Sequence, residues 1–360
     1  MRRCHVRALV AMSGGVDSSV AAALILEAGY DVVGVTLKQW VLPCGDLPTA
    51  GCCTVSDAND ARRVAEMLGI EYTVLDYVDE FTKAVVEPFG EQYLAGRTPN
   101  PCIECNRTVR FSALLDQTSE FDADVLVTGH HARVAEANGE WQLLRAVDGT
   151  KDQSYVLHML GQDALSRIRL PIGEMTKAVV RKRAAAMGMP TADKPDSQDI
   201  CFVPSGDYRD FLTDRFPETA MPGPVVDTAG AVVGEHDGVA RFTIGQRKGL
   251  GIAVGEARYV IDIDPAERRV VVGTRDDLLT DGCVVSNVTW IAGGPPPDPD
   301  ISVKVRYRTP AVAASLLPLG NDWEVRFRER QAAPAPGQSA VFYDGDRVLG
   351  GGIIERAVRL

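Results

Sequence analysis

The sequence contains no apolar run of membrane-spanning length, and its first residues, Met-Arg-Arg-Cys-His, lead into a predicted strand rather than a signal peptide. From these absences we expect a cytoplasmic protein with no membrane partner. Basic residues number 38 against 49 acidic ones, and the formal charge of −11 argues against a nonspecific nucleic-acid coat. A local basic face is still compatible with that charge, because nearby groups set the field at a site. The 360 residues suffice for two or three domains.

The sequence also lacks the lysine of a Walker A loop, although a glycine-rich turn follows its first predicted strand. An apolar run at 9–12 leads into this turn, and an Ala/Leu/Ile-rich helix follows as far as Gly29. Strand, turn and helix in this order aim backbone N–H groups at a phosphate, and side-chain oxygens in the first helical turn can cap it or hold Mg²⁺. A capped helix without a ligand is the alternative. The predicted nucleotide site comprises Ala11, Met12, Ser13, Gly14, Gly15, Val16, Asp17 and Ser18.

A second predicted strand, at 31–37, follows this helix and makes a parallel βαβ unit with a right-handed crossover. Further strands are predicted at 71–77 and within 124–132, the last of these running into a turn. Open parallel sheets bind their ligands at the carboxyl ends of the strands. Leu37 is therefore predicted beside an adenine, with Gly129 and His130 at the same edge of the sheet.

The pattern changes near residue 208, where helical periodicity fades and short β-rich runs separated by Gly, Asp and Pro begin. A proline run before Ile301 precedes a second set of alternating strands. We predict an α/β domain with a parallel sheet at 1–207, followed by two small β-rich domains at 208–277 and 278–360.

A second C-x-x-C motif is missing, so Cys102 and Cys105 do not indicate a zinc ribbon. The pair is compatible with a redox couple, half of a metal site, or coincidence. Cys201 is a candidate partner, because it too lies in a polar loop next to a βα element of the same sheet. No metal-ligating residues are assigned. Structural roles are predicted for Cys52, Cys53, His131 and Cys283.

Five motifs are informative when taken together. They are Ser-Gly-Gly-Val-Asp-Ser at 13–18, Arg-Thr-Pro-Asn-Pro at 97–101 with Cys-Asn at 105–106, Thr-Gly-His at 128–130, Lys-Asp-Gln-Ser-Tyr at 151–155 and Ser-Gln-Asp-Ile-Cys-Phe at 197–202. They closely resemble the bacterial tRNA-specific 2-thiouridylases, which replace the C2 oxygen of a wobble uridine with sulfur. The resemblance continues through 245–251, 304–308 and 336–340 and covers essentially the whole chain. It implies an adenine nucleotide α-hydrolase-like first domain, a β-barrel as the last domain, and tRNAs that decode Lys, Glu and Gln.

The resemblance also implies a reaction that uses ATP and Mg²⁺, because the C2 oxygen must be adenylated before it can leave. It implies that Cys201 carries a persulfide supplied by a sulfur donor protein, either a cysteine desulfurase or a relay carrier. Cys105 is then the nucleophile that releases the sulfur or resolves the intermediate as a Cys105–Cys201 disulfide.

Cys102 stands where some relatives have aspartate, which leaves a second route open. In that route Cys102, Cys105 and Cys201 hold an iron–sulfur cluster whose unique iron takes up sulfide. We rank the persulfide route first.

The tRNA contacts are likewise implied by the resemblance. Asn100, Pro101 and Cys102 are expected to border the target base, and His130, Lys151, Asp152 and Gln153 to touch the tRNA. Arg306, Tyr307 and Gln338 are the expected anticodon-side contacts. Two other functions compete with this one: a pyrophosphate-loop synthetase that adenylates a small carboxylate, and a nucleotide-responsive RNA-binding protein without catalysis.

Overall fold

A five-stranded parallel sheet organises the first half of the chain in the computed structural model, which describes residues 6–41, 55–196, 200–203, 207–252 and 256–359. The strands in this half are β1 (Arg7–Ala11), β2 (Asp31–Lys38), β3 (Glu71–Asp76), β4 (Val125–Thr128), β5 (Ala132–Ala137), β6 (Glu140–Arg145) and β7 (Ile168–Arg169). The sheet order is β3-β2-β1-β4-β7. The connections leave β1 and β4 in opposite directions, so a crevice opens between the ends of these two strands.

The helices pack on this sheet or extend from it. They are α1 (Val16–Glu27), α2 (Val55–Leu68), α3 (Val78–Phe81), α4 (Glu87–Leu94), α5 (Pro101–Glu104), α6 (Leu114–Glu120), α7 (Gln162–Arg167), α8 (Lys177–Ala186) and α9 (Tyr208–Arg215). π-Helical turns at Thr82–Val86 and Cys105–Ala113 make continuous helices of α3 with α4 and of α5 with α6, and 3₁₀ turns lie at Ser154–Leu157, Pro217–Ala220 and Val239–Arg241. None of the helices in the described ranges is long and apolar enough to span a membrane.

The burial of β1 shows why this part of the sequence forms a central strand. Ala8, Leu9 and Val10 are fully buried, because one face of the strand meets α1 and the other meets the aromatic cluster around Phe81. A strand buried on both faces needs a continuous apolar run, which is what the sequence provides.

The second half of the chain is built from two β units. The first contains β8 (Gly223–Val226), β9 (Val232–His236), β10 (Tyr259–Asp264) and β11 (Arg269–Gly273), in the order β10-β11-β8-β9. The second contains β12 (Leu279–Trp290), β13 (Asp300–Lys304), β14 (Val312–Leu319), β15 (Asp322–Ala332), β16 (Ser339–Asp344) and β17 (Arg347–Val358). Its antiparallel sheet closes through β12–β17 pairing into a six-stranded barrel, with Cys283 in the barrel core.

The predicted fold class, a parallel α/β domain followed by two β-rich domains of which the last is a barrel, is confirmed. The boundaries at 207/208 and 277/278 stay predictions. One pairing was not predicted: the β5–β6 hairpin belongs by sequence to the α/β domain but pairs with β17 of the barrel, Leu143 opposite Val348. The Arg145 guanidinium lies 3.9 Å from the centre of the Tyr343 ring, so a cation–π contact reinforces this junction.

Candidate active site

A cavity of about 1490 Å³ opens at the carboxyl ends of β1, β2 and β4 and extends to the barrel segment at 304–310. Its described lining carries more basic than acidic side chains, although the chain as a whole is acidic. The basic ones are Arg110, Arg133, Arg145, Lys151, Lys177, Lys194, Lys304 and Arg308, and the acidic ones are Asp17, Asp57, Asp152, Asp196 and Asp346. The local field therefore favours an anionic ligand.

The glycine-rich turn lies at the deep end of this cavity. The Ser18 hydroxyl accepts from the Ser13 backbone N–H at 3.1 Å and donates to the Gly15 carbonyl at 3.1 Å, so this side chain holds the turn in shape. Gly14 adopts φ +70°, and a Cβ there would lie 2.2 Å from the Asp57 carbonyl oxygen of α2. Of the predicted nucleotide-site residues, Ala11, Met12, Ser13, Gly15, Val16, Asp17, Ser18, Leu37 and Gly129 line the cavity, and Gly14 packs on α2 instead.

Gly129 brings the end of β4 against the start of α1. A Cβ at this position would lie 2.5 Å from the Ser18 backbone nitrogen, so only glycine allows this approach. The next residue, His130, is buried, and burial together with the nearby Arg110 charge lowers its pKa to about 3. Its Nδ1 lies 2.7 Å from the Thr128 hydroxyl. His130 therefore meets a ligand as a neutral imidazole.

A cluster of ion pairs surrounds the first turn of α1, and the sequence did not predict it. Asp17 accepts from His131 Nε2 at 3.1 Å and from Lys177 Nζ at 2.6 Å. Burial raises the pKa of Asp17, but the hydrogen bonds from His131 and Lys177 outweigh it and leave that pKa below its ordinary value. His131, to which the sequence assigned a structural role, thus orients a side chain of the cavity.

Asp196 joins this cluster through Lys177, which contacts both Asp17 and Asp196. Its carboxylate accepts from Lys177 at 2.9 Å, Arg181 at 2.8 Å and Lys151 at 2.9 Å. Burial raises its pKa, yet the hydrogen bonds from Lys151 and Lys177 lower it overall to about 2. Asp196 is therefore ionised and ties three basic side chains together.

Lys194 also contacts the glycine-rich turn, but its partners differ from those of Lys177. Its Nζ donates to the Gly14 carbonyl at 3.0 Å, to Asp57 at 2.7 Å and to Asp60 at 2.6 Å. Three acceptors use all three N–H bonds of an ammonium group. Lys194 therefore fastens the glycine-rich turn to α2.

The helix that carries Cys102 and Cys105 begins with a side-chain cap. Asn100 Oδ1 accepts from the backbone N–H groups of Cys102 at 3.1 Å and Ile103 at 3.4 Å, and Pro101 occupies the first helical position. Cys102 is exposed in the first turn, whereas Cys105 is buried and accepts from Gln39 Nε2 at 3.3 Å. The π-helical turn begins at Cys105, and such turns are frequent at functional sites.

Cys201 lies on the wall of the same cavity, half-buried. Its neighbour Phe202 fixes this placement, because the ring is buried among four others at centroid distances of 5.3 to 6.1 Å: Trp40, Phe81, Phe89 and Phe211. Ser197, Gln198 and Asp199 of the same motif lie outside the described residues, as do Cys52 and Cys53. Cys102, Cys105 and Cys201 all line the cavity that the glycine-rich turn lines.

The described residues include no group of three or more His, Cys, Asp or Glu side chains placed to hold a metal ion. Cys102, Cys105 and Cys201 are all described, and they do not form such a group. Mg²⁺ makes a smaller demand, since it is commonly held by one or two carboxylates together with substrate phosphates. Asp17 at the glycine-rich turn fits that requirement.

The remaining predicted tRNA-contacting residues lie in two parts of the chain, the segment at 151–153 and the barrel. Lys151, Asp152 and Gln153 line the cavity, and Gln153 exchanges hydrogen bonds with the backbone of His131 at 2.8 Å. Asp152 is buried, and its carboxylate accepts from Ala146 and Ser154, so it braces the end of the hairpin.

On the barrel, Tyr307 faces the cavity with its ring partly exposed, and Lys304 Nζ lies 5.5 Å from its centre. Arg306 points elsewhere and donates to the carbonyls of Ile244 and Ala333. Gln338 Nε2 donates to the Thr98 carbonyl at 2.7 Å, so it holds the segment before Asn100.

The comparisons with known proteins agree along the chain. Family models described as "tRNA methyl transferase HUP domain", "tRNA methyl transferase PRC-barrel domain" and "Aminomethyltransferase beta-barrel domain" match residues 6–205, 209–274 and 280–354. The chain is 46% identical to a tRNA-specific 2-thiouridylase MnmA of Symbiobacterium thermophilum, over 98% of this chain and 93% of that one. It is 49% identical to the protein of the same name from Chloroflexus aggregans, over 97% of this chain and 98% of that one.

Proposed function

The chain belongs to the tRNA-specific 2-thiouridylase family, as its motifs predict, and we propose that it uses ATP to replace the C2 oxygen of a tRNA wobble uridine with sulfur. The proposed substrates are the tRNAs that decode Lys, Glu and Gln. One observation carries the proposal: Cys105 and Cys201, far apart in sequence, line one cavity with the glycine-rich turn. A synthetase that adenylates a small carboxylate has no use for two cysteines at that place.

The first step is adenylation. The uracil C2 oxygen attacks the α-phosphorus of ATP, an O2-adenylated base forms, and pyrophosphate leaves. The turn at 13–15 and the first turn of α1 supply backbone N–H groups for the departing phosphates, and Leu37 and Gly129 border the adenine. Asp17 would hold Mg²⁺ together with the phosphates, and the ion would offset negative charge on the leaving group.

The second step is sulfur transfer. The outer sulfur of a Cys201 persulfide attacks C2 of the activated base, and AMP leaves with the original oxygen. The Cys105 thiolate then attacks Cys201 Sγ and breaks the bond between Cys201 Sγ and the transferred sulfur. The products are a 2-thiouridine and a Cys105–Cys201 disulfide, which a cellular dithiol must reduce. A sulfur donor protein, a cysteine desulfurase or a relay carrier, then reloads Cys201.

We prefer this route to an iron–sulfur cluster because Cys102, Cys105 and Cys201 are not arranged as a metal-ligand group. Cys102 instead borders the target base in our proposal, exposed on the first turn of its helix and near Tyr307, whose pKa is raised by burial and, to smaller extents, by Asp152 and Cys102. Single bases are recognised by extrusion and stacking on aromatic rings, a role that Tyr307 fits.

The test is nucleoside mass spectrometry of tRNA after incubation with ATP, Mg²⁺ and a persulfide donor. We expect 2-thiouridine at the wobble position, and pyrophosphate release that requires tRNA. Pyrophosphate release without tRNA would favour a small-molecule synthetase, and no release under any condition would favour a non-catalytic RNA-binding protein.

Cysteine variants complete this test. Cys105→Ser and Cys201→Ser should abolish 2-thiouridine while ATP binding stays at the wild-type level. Cys283→Ala is the matched control, because that thiol is buried in the barrel core, away from the cavity. Thiolation by Cys201→Ser would overturn the persulfide assignment.

A further inference from the structure

The glycine-rich turn carries no lysine of its own, yet the triphosphate that the proposed function places there brings several negative charges. Backbone N–H groups and the helix dipole contribute only about half a positive charge at the start of α1. Mg²⁺ would offset part of the remaining charge, and a cationic side chain from elsewhere in the chain can offset more of it. Two lysines reach the turn, Lys177 at the start of α8 and Lys194 beyond its end.

The two lysines differ in how many hydrogen-bond acceptors surround their ammonium groups. Lys194 Nζ has three acceptors, one of them the Gly14 carbonyl, so its capacity is used in fastening the turn to α2. Lys177 Nζ has two acceptors within the described part of the chain, Asp17 at 2.6 Å and Asp196 at 2.9 Å. One N–H of Lys177 can therefore still serve a ligand.

Hydrogen bonds fix the backbone of Lys177 and thereby set the direction of its side chain. Its N–H donates to Asp148 at 2.9 Å, and Thr176 caps the helix behind it by accepting from Val179. The residue is only 9% exposed, so solvent screens its charge weakly. The ammonium group stands beside the first turn of α1, in the cavity that the turn lines.

Both carboxylates that hold Lys177 also have other partners. Asp17 keeps His131, and Asp196 keeps Lys151 and Arg181. Lys177 can thus move toward a phosphate without leaving either carboxylate unpaired, which would otherwise be costly in a buried site.

We propose that Lys177 binds the β- and γ-phosphates of ATP and supplies from a distant helix the charge that the turn lacks. It exchanges the carboxylates of Asp17 and Asp196 for phosphate oxygens when the nucleotide arrives. The inference rests on the proposed use of ATP, so it is tested by binding and not by thiolation.

The experiment compares α,β-methylene-ATP with AMP by titration calorimetry in the presence of Mg²⁺. Lys177→Gln should weaken binding of the analogue by about tenfold to a hundredfold, the range of one charge-assisted hydrogen bond. It should leave AMP binding unchanged, because AMP has no β- or γ-phosphate. Lys182→Ala, on the same helix with an exposed side chain, is the matched control and should bind both as wild type does. Equal weakening for the two ligands, or none for the analogue, would overturn the assignment.

A second variant is expected to change the affinity for the analogue in the opposite direction. Asp196→Asn removes one competitor for Lys177 and should tighten binding of the analogue relative to AMP, whereas weaker binding would count against the exchange. This variant decides the question if Lys177→Gln fails to fold. Wild-type protein that binds the analogue but never thiolates tRNA would overturn the proposed function and leave the role of Lys177 intact.

Discussion

Arg97 and Glu355 form an ion pair at 2.7 Å that joins the segment before the helix of Cys102 and Cys105 to the last strand of the barrel. The Thr98 backbone N–H donates to the Pro336 carbonyl at 2.7 Å, and Gln338 donates to Thr98 in the same place. Asn100, two residues further, caps the helix that carries Cys105. The barrel therefore sets the position of the proposed nucleophile.

Glu355→Gln tests this link. Loss of the ion pair should reduce the rate of tRNA thiolation about tenfold, because small misplacement of a reacting group is costly, while ATP binding is unchanged. Single-turnover thiolation and calorimetry measure the two quantities. Glu329→Gln, an exposed position on β15, should behave as wild type. An unchanged thiolation rate in Glu355→Gln would show that the helix holds its position alone.

Gly14→Ala should abolish nucleotide binding. The new Cβ would collide with the Asp57 carbonyl, and alanine disfavours the positive φ of this position. Gly29→Ala separates the two effects, because Gly29 also has positive φ but nothing within 4 Å of its Cβ position. That control should lose about 1–2 kcal/mol of unfolding free energy and keep its affinity for ATP. Urea unfolding and calorimetry give both values, and ATP binding by Gly14→Ala would contradict the close packing on α2.

Asp196 should make stability depend on acid pH. Its folded-state pKa of about 2 lies below the ordinary 3.8, so the ionised carboxylate stabilises the fold above pH 3.8 and this stabilisation is lost as the pH falls toward 2. The contribution is on the order of 2 kcal/mol. Urea unfolding between pH 5 and pH 2 should therefore show a smaller loss for Asp196→Asn than for wild type. Parallel curves would mean that Asp196 makes no net contribution.

Tyr307→Ala should weaken tRNA binding by about 1–3 kcal/mol, the range for stacking of one base on an aromatic ring. Tyr307→Phe keeps the ring and should bind as wild type does. Filter binding with an anticodon stem-loop measures the effect, and ATP binding serves as the internal control. If the phenylalanine variant lost as much affinity as the alanine variant, the hydroxyl and not the ring would be responsible.

The sequence predicted those parts of the site that depend on a pattern of neighbouring residues. The run from β1 through Ser18 follows a strand-turn-helix pattern, and Gly129 follows from the rule that parallel strands bind ligands at their carboxyl ends. Convergence of Cys105 and Cys201 on one cavity followed from the same rule together with the family resemblance.

The parts that the sequence missed depend on contacts between distant segments. Lys177 and Asp196 have no local motif, and their roles become visible only when α8 packs beside α1. Arg306 and Asp152 show the converse: both match the family pattern of tRNA contacts, but backbone groups engage their charged ends. Lys177 and Asp17 are 160 residues apart, and a contact at that separation leaves no trace in composition or periodicity.

The hairpin of β5 and β6 limits how this protein can be divided. It is encoded within the α/β segment, but its strand β6 pairs with β17 along an edge that the barrel would otherwise present to solvent. A fragment that starts at residue 278 would therefore expose backbone groups of β17 and lack Arg145, which covers one face of the Tyr343 ring. Chimeras that exchange barrels between relatives should carry residues 132–145 along with the barrel, because Arg133 and Arg145 of this hairpin line the cavity while β6 pairs with the barrel.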